Sequence, residues 1–349
     1  MKDTKYFLAY LIPLSAFLAL SLHGLWSYST VIFAFVMIPV LEMIMRGSTE
    51  NLDEAEQERR ADSRFFDWLL YLNVPIVFGL VIYYFHTIHT ATLASYEITG
   101  LTLSMGTMLG ACGINVAHEL GHRFTRGEQL LAKILLLPEL YMHFFIEHNR
   151  GHHKNIATDE DPASARFNEP LQVFWLRSTV NSYIDAWKLE RQRLERAGHS
   201  FWSLQNEMLR FQLIQVAYLL AIAAIWDWRV MSFAVLIAVI GFLLLETINY
   251  IEHYGLRRQR LASGRYEAVN ETHSWNSNHE LGRIVLYELT RHSDHHYKSN
   301  KKYQLLNHYD ASPQLPLGYP TSMLLAMVPP LWFRVMNPKV RAYRDVVTR

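Results

Sequence analysis

The sequence predicts an all-α integral membrane protein: six transmembrane helices with a cytoplasmic histidine-rich catalytic cap. Three observations predict it. Half of the 349 residues are hydrophobic, yet the mean hydropathy is close to zero, because apolar residues come in blocks with the charges between them. Six of those blocks have about the twenty residues that a bilayer-spanning helix needs. Nine of the seventeen histidines fall in four short stretches that follow or separate the blocks. These stretches are His118-Glu-Leu-Gly-His122, His148-Asn-Arg-Gly-His152-His153, Asn249-Tyr-Ile-Glu-His253-Tyr-Gly255 and His292-Ser-Asp-His295-His296.

The first block, Tyr6 to Leu22, reads as a span and not a signal peptide, because no small-residue cleavage site precedes a polar domain. Leu25 to Met45 follows after only His23 and Gly24, which suits a tight helical hairpin. Pro13 and Pro39 lie inside these two spans, where membrane helices tolerate them. Gly47 to Arg64 is strongly charged and reads as a solvated helix or loop. Phe65 to Phe85 is the third span and ends in interfacial aromatics, Tyr83, Tyr84 and Phe85. The fourth, Ile98 to Ala117, runs straight into His118, and its Gly106 and Gly110 have the GxxxG spacing of close helix packing. Packing is also the role expected of Gly113.

Glu128 to Ile146 is apolar, but a crossing here would place His118 and His148 on opposite sides, so it is expected to lie along the surface or pack without crossing. Asn149 to Asn206 is polar and charged. Leu209 to Trp226 and Val230 to Ile251 are the fifth and sixth spans. Gly318 to Met336 is apolar, but Pro320, Pro329 and Pro330 argue against a further crossing. The whole of residues 1–349 is expected to form one membrane domain.

Lys and Arg cluster on the histidine side, whereas the opposite loops, near 23, 86–95 and 226–229, contain only Arg229. The positive-inside rule therefore places the histidines and both termini in the cytoplasm. A net charge of +1 offers no case for nucleic-acid binding. Cys112 is the only cysteine, which excludes an internal disulfide, a Cys-ligated metal site and a rubredoxin-type iron site of the chain's own.

Residues four apart on a helix share a face. His118 with His122, His148 with His152, and His292 with His295 or His296 are thus expected to share an ion. Adjacent pairs, His152-His153 and His295-His296, point about 100° apart and can serve two ions. Eight histidines exceed what one tetrahedral zinc takes, so two ions are expected. Isolated His23, His86, His89, His199 and His308 read as interface residues, with His143, His273 and His279 as candidates for outer support. The carboxylates Glu119, Glu147, Asp159, Asp161, Glu252 and Asp294 are expected to hold ligand rings, as ligating histidines usually donate their second N–H.

Two more specific readings of the metal centre stand open. His118-Glu119-x-x-His122 matches the HExxH zinc-protease signature, in which the Glu is general base. It leaves the other three stretches without a purpose. A metal transporter is opposed by the few polar residues in the spans, chiefly Glu42, Asp67, Asn73 and Glu246.

The chain resembles the membrane-bound alkane 1-monooxygenases (alkane omega-hydroxylases), relatives of the histidine-box membrane desaturases and hydroxylases. The resemblance rests on Asn115-Val-Ala-His-Glu-Leu-Gly-His-Arg123, Phe145-Ile-Glu-His-Asn-Arg-Gly-His-His153, Asn249-Tyr-Ile-Glu-His-Tyr-Gly-Leu256, His273-Ser-Trp-Asn-Ser-Asn-His279 and Arg291-His-Ser-Asp-His-His296. Desaturases share the loose histidine spacings but lack the Glu-His-Tyr-Gly and His-Ser-Trp-Asn-Ser-Asn stretches. It implies O2-dependent terminal hydroxylation of n-alkanes, drawn from the lipid bilayer, to 1-alkanols. The implied cofactor is two iron ions in a non-haem di-iron centre. Its ligands would be His118, His122, His148, His152, His153, His292, His295 and His296, with His253 as a ninth. Glu119, Glu147, Asp161, Glu252, His273 and Asp294 would stand in outer support. Electrons would come from rubredoxin and rubredoxin reductase, with rubredoxin a separate protein or lost by truncation. The implied location is the bacterial cytoplasmic (inner) membrane. Arg257, Arg258, Arg260, Lys301 and Lys302 are candidates for docking an acidic rubredoxin.

Overall fold

The computed structural model describes residues 2–45 and 47–347; Met1, Arg46, Thr348 and Arg349, which the expected domain includes, lie outside the described residues. Among the described residues every regular element is helical, and extended pairing is confined to the isolated bridges Arg260–Tyr266 and Asn276–Gln314. Six helices are long and apolar enough to cross a membrane: α1 (Asp3–Leu22), α2 (Gly24–Ile44), α3 (Arg64–Thr90), α4 (Ser95–Gly121), α5 (Glu207–Ile225) and α6 (Trp228–His253). They coincide with the six expected spans to within a few residues, and they fit a multi-pass membrane protein. A helix satisfies every backbone group internally, which is what hydrocarbon demands.

Two of the spans contain a π turn. In α2 a π turn occupies Phe33–Met37, just ahead of Pro39, whose ring crowds the carbonyl four residues back and which lacks an N–H. In α4 a π turn covers Leu109–Ile114, immediately before the first histidine box.

The chain divides into two compact units: Met1–Met37, Ser63–Glu147 and Tyr183–Leu245 in the first; Ile38–Asp62, His148–Ser182 and Glu246–Arg349 in the second. In the first unit α4 packs closely on α6. A Cβ at Gly106 would overlap Ile240, and one at Gly110 would press on Gly241 O and Leu244 at 3.2 Å. The glycines therefore do pack, as expected. Gly113 does more than pack, because together with Gly241 it makes room for the buried carboxylate of Glu139. At the far end of this unit Glu97 accepts from Gly24 N–H at 2.7 Å and from Ala94 N–H at 2.8 Å, which ties two of the tight loops together.

In the second unit the end of α6 is held by an aromatic cluster of Tyr250, Tyr254 and Trp332, with ring centroids 5.3 to 5.6 Å apart. Tyr250 donates to Glu169 O at 2.6 Å, Tyr254 to Asn337 Oδ1 at 2.7 Å, and Trp275 Nε1–H to Tyr254 O at 2.9 Å. These polar tips are satisfied inside the core, as buried Tyr and Trp require.

The structure bears out one charged stretch, corrects one apolar stretch and adds a helix to a polar one. The charged run 47–64 forms a short helix, Glu54–Ala61, capped by Asp53. Residues 128–146 are no single helix: Arg126–Leu135 ends before Pro138, Leu140 adopts φ +51°, and helix resumes only at Phe144–Glu147. The polar stretch 149–206 contains a 26-residue helix, Leu171–Arg196, outside the six spans. It exposes Val173, Leu176, Val180 and Ile184 on one stripe.

Candidate metal centre

His118 lies in the last turn of α4 and His253 is the last residue of α6, so two boxes sit at the ends of apolar helices. In the first unit the rings of His118 and His122 meet edge to face with centroids 5.0 Å apart. That is the i, i+4 pairing expected from sequence.

The second unit brings together the other seven. His152, His253, His292 and His296 are all buried, and each offers a ring nitrogen within 4.8 Å of the others. The Nε2 atoms of His292 and His296 are 2.8 Å apart. A second grouping joins His148, His153 and His295: His148 Nε2 is 3.0 Å from His153 Nε2, and the rings of His153 and His295 are 4.9 Å apart.

The expected pairing of His148 with His152 is therefore wrong. Residues His148–His152 form a π turn, in which hydrogen bonds run i to i+5, so the residue five along shares the face. His153 takes that place and His152 turns into the buried four. For His292 the choice left open by sequence is resolved: His296, four along, joins it, and His295 joins the other group.

The site's residues suit a divalent transition metal. His152 Nε2 and His253 Nε2 are buried and lack a hydrogen-bond partner, an expensive arrangement unless an ion takes the lone pair. Burial, then the neighbouring imidazoles of His292, His153 and His152, hold His296 well below the usual imidazole range, so it is a neutral donor. Imidazole donors of this kind suit iron, zinc, copper and nickel.

The carboxylates divide by what they touch. Asp161 Oδ2 is 2.9 Å from His152 Nδ1 and accepts from Ser164 Oγ at 2.6 Å, while its Oδ1 accepts from Ala163 N–H at 3.1 Å. Glu252 Oε2 is 3.0 Å from His292 Nε2, and Oε1 accepts from Tyr319 at 2.9 Å. Glu147 is buried. Asp294 anchors its own loop through Lys301 at 2.6 Å, Asn307 N–H at 2.7 Å and Tyr309 at 3.0 Å. His273 engages Glu267 at 3.3 Å and Asn270 N–H at 3.1 Å. Ser274, beside it, stands 3.5 Å from His253 Nδ1.

Glu119 Oε1 lies 2.8 Å from Arg123, which also donates to Asp67 on α3 at 3.2 Å. That ion pair is buried and commits the carboxylate which a protease would need as base. Sequence reasoning missed three supporting residues: Arg123, Ser164 and Tyr319. Arg123 adjoins a box, which is a usable signal; the other two carry no spacing signal.

Comparison with known proteins agrees with the geometry. Residues 94–323 match the fatty acid desaturase family. Alkane 1-monooxygenase 1 of Pseudomonas aeruginosa is 40% identical over 325 residues, covering 91% of this chain and 84% of the relative. Alkane 1-monooxygenase of Pseudomonas putida is 40% identical over 305 residues, covering 87% and 75% respectively. The xylene/toluene monooxygenase hydroxylase component of Pseudomonas putida is 26% identical over 351 residues, covering 98% and 90%. Six apolar helices, two histidine groups able to hold metal and this similarity over most of the sequence agree: the chain belongs to the alkane 1-monooxygenase family, within the wider fatty acid desaturase group.

Proposed function

We propose that the protein hydroxylates the terminal methyl of n-alkanes to 1-alkanols with O2 at a histidine-ligated di-iron centre. The observation that carries the proposal is the buried quartet of His152, His253, His292 and His296 beside a second histidine group. One ion would be held by that quartet and the other by His148, His153 and His295. Two iron ions bound there would supply O2 activation and the oxidising power for C–H cleavage. Asp161 keeps a proton on His152 Nδ1, which turns Nε2 outward as the basic nitrogen. Burial of the quartet excludes water from a strongly oxidising site.

An alkane presents no charge and no hydrogen-bonding group, so the chain must recognise it by shape and burial. Each buried methylene contributes about 0.8 kcal/mol, and apolar pockets separate neighbours by roughly 1–3 kcal/mol. A broad length preference follows. The substrate arrives from the bilayer, and electrons come from rubredoxin and its reductase on the cytoplasmic face of the bacterial inner membrane. Four of the five basic residues expected to dock rubredoxin hold structure: Arg257 reaches Asp159 at 3.2 Å and Arg258 reaches Lys154 O at 2.9 Å on a remote segment, while Arg260 meets Gly264 O at 3.1 Å and Lys301 meets Asp294 at 2.6 Å nearby in sequence. Loop-holding is accordingly their first role.

The test supplies purified protein with rubredoxin, rubredoxin reductase, NAD(P)H, O2 and n-octane. Formation of 1-octanol, seen by mass spectrometry, is expected. Its absence from a protein shown to hold two irons would overturn the proposal.

A further inference from the structure

Asp161 and Glu252 each meet a histidine of the buried quartet, and they meet it from different sides. Asp161 takes Nδ1 of His152, leaving Nε2 of that ring without a hydrogen-bond partner. The carboxylate thus stands behind the ring. Glu252 Oε2 instead stands 3.0 Å from His292 Nε2, the same nitrogen that lies 2.8 Å from His296 Nε2. It reaches the ring on the side where the histidines converge.

The rest of the carboxylate is fixed. Tyr319, fully buried, donates to Oε1 at 2.9 Å, so Oε2 is the oxygen directed at the quartet. Tyr319 opens the helix Tyr319–Ala326, and that helix is seated on Glu42. Glu42 Oε1 accepts from Gly282 N–H at 3.1 Å, and a Cβ at Gly282 or Gly318 would overlap its carboxylate. Tyr319 has little freedom to release Glu252.

Metal–ligand bonds of about 2.1 Å place ligands at right angles about 3 Å apart. His296 Nε2, His292 Nε2 and Glu252 Oε2 follow one another at that spacing. A buried divalent ion among neutral imidazoles also gains from a carboxylate that offsets part of its charge.

We propose that Glu252 is a carboxylate ligand of the metal centre, the fifth donor to the ion held by His152, His253, His292 and His296. Tyr319 is its positioning residue. The proposal rests on the metal-centre reading above.

Cobalt(II) titrated into the full-length, metal-free protein in detergent tests it, because d–d bands intensify when coordination falls from five to four. Glu252→Gln keeps an acceptor for a hydrogen bond from His292 but removes the anionic ligand. In that variant one of the two cobalt ions is expected to bind about 10- to 100-fold more weakly, with a stronger d–d band. Bands and affinity equal to the parent's would overturn the proposal. Where Glu252→Gln fails to fold, Tyr319→Phe decides: a band shift confined to one ion supports the assignment, and unchanged bands overturn it. A parent protein that takes up no cobalt would instead overturn the metal-centre reading, and this proposal with it.

Discussion

His148 Nε2 lies 3.0 Å from His153 Nε2, while His152, between them in sequence, faces the buried quartet. One π turn produces this division, because adding a residue to a helical turn rotates everything after it. The same device precedes His118, at Leu109–Ile114. π turns of this kind are frequent at functional sites.

The division predicts which ligands act together. His148→Ala and His153→Ala should each release the same ion, and the double variant should lose no more than either alone. His152→Ala should release the other. Cobalt titration with spectral deconvolution checks this, and loss of one common ion from all three variants would contradict it.

Asp161→Asn should weaken metal binding by about 10- to 100-fold, the usual consequence of removing a carboxylate behind a ligating imidazole. Ser164→Ala removes the 2.6 Å bond to Asp161 Oδ2 together with the acceptor of Ala157 N–H at 2.8 Å, and should have a smaller effect in the same direction. Competition with a chelator measures both. An Asp161→Asn protein with parental affinity would show that this carboxylate does not support the site.

Gly241→Ala should destabilise the first unit by about 1–3 kcal/mol through overpacking, since the new methyl overlaps Glu139 Oε2. Adding Glu139→Ala should recover part of the loss. Thermal unfolding in detergent reports both changes, and strict additivity of the two losses would exclude this contact as the cause.

Arg123 joins Glu119 at 2.8 Å to Asp67 at 3.2 Å in a buried network. Arg123→Met removes the buried cation that joins the two carboxylates and should cost about 3–5 kcal/mol. Asp67→Asn in the same background should return some of that. A melting curve unchanged by Arg123→Met would remove this network from the account of the α4 terminus.

Burial lowers the pKa of His143 from 6.5 to about 3. The unfolded chain therefore binds a proton that the folded chain refuses, and stability falls as pH drops from 6.5 towards 3. His143→Phe should flatten that part of the pH–stability curve. An identical acid slope in the variant would assign the loss to other groups.

The spans and the boxes were legible in the sequence because each depends on local properties. Twenty apolar residues in a row can only span or be buried, and nine histidines in four short stretches imply metal whatever the fold. His118 with His122 followed from helical periodicity for the same reason. Gly106 and Gly110 were legible as packing residues because small size has the same consequence in any close helix contact.

The remainder depended on geometry that no spacing encodes. The π turn at His148–His152 changed which histidines cooperate, since one extra residue per turn moves a side chain to another face. Glu119 looked like a protease base by motif, and the fold pairs it with Arg123. The carboxylates flanking the boxes looked alike, but folding set Asp161 behind His152, Glu252 beside His292 and Asp294 on its own loop. Gly113 became a seat for Glu139, which a separate segment brings to it. Sequence by itself determined which residues form the histidine stretches and which form the six long apolar helices, through composition and period. Tertiary structure alone decided which histidines group together and which carboxylate meets each ring, because distances of about 3 Å between remote side chains arise only when the chain packs.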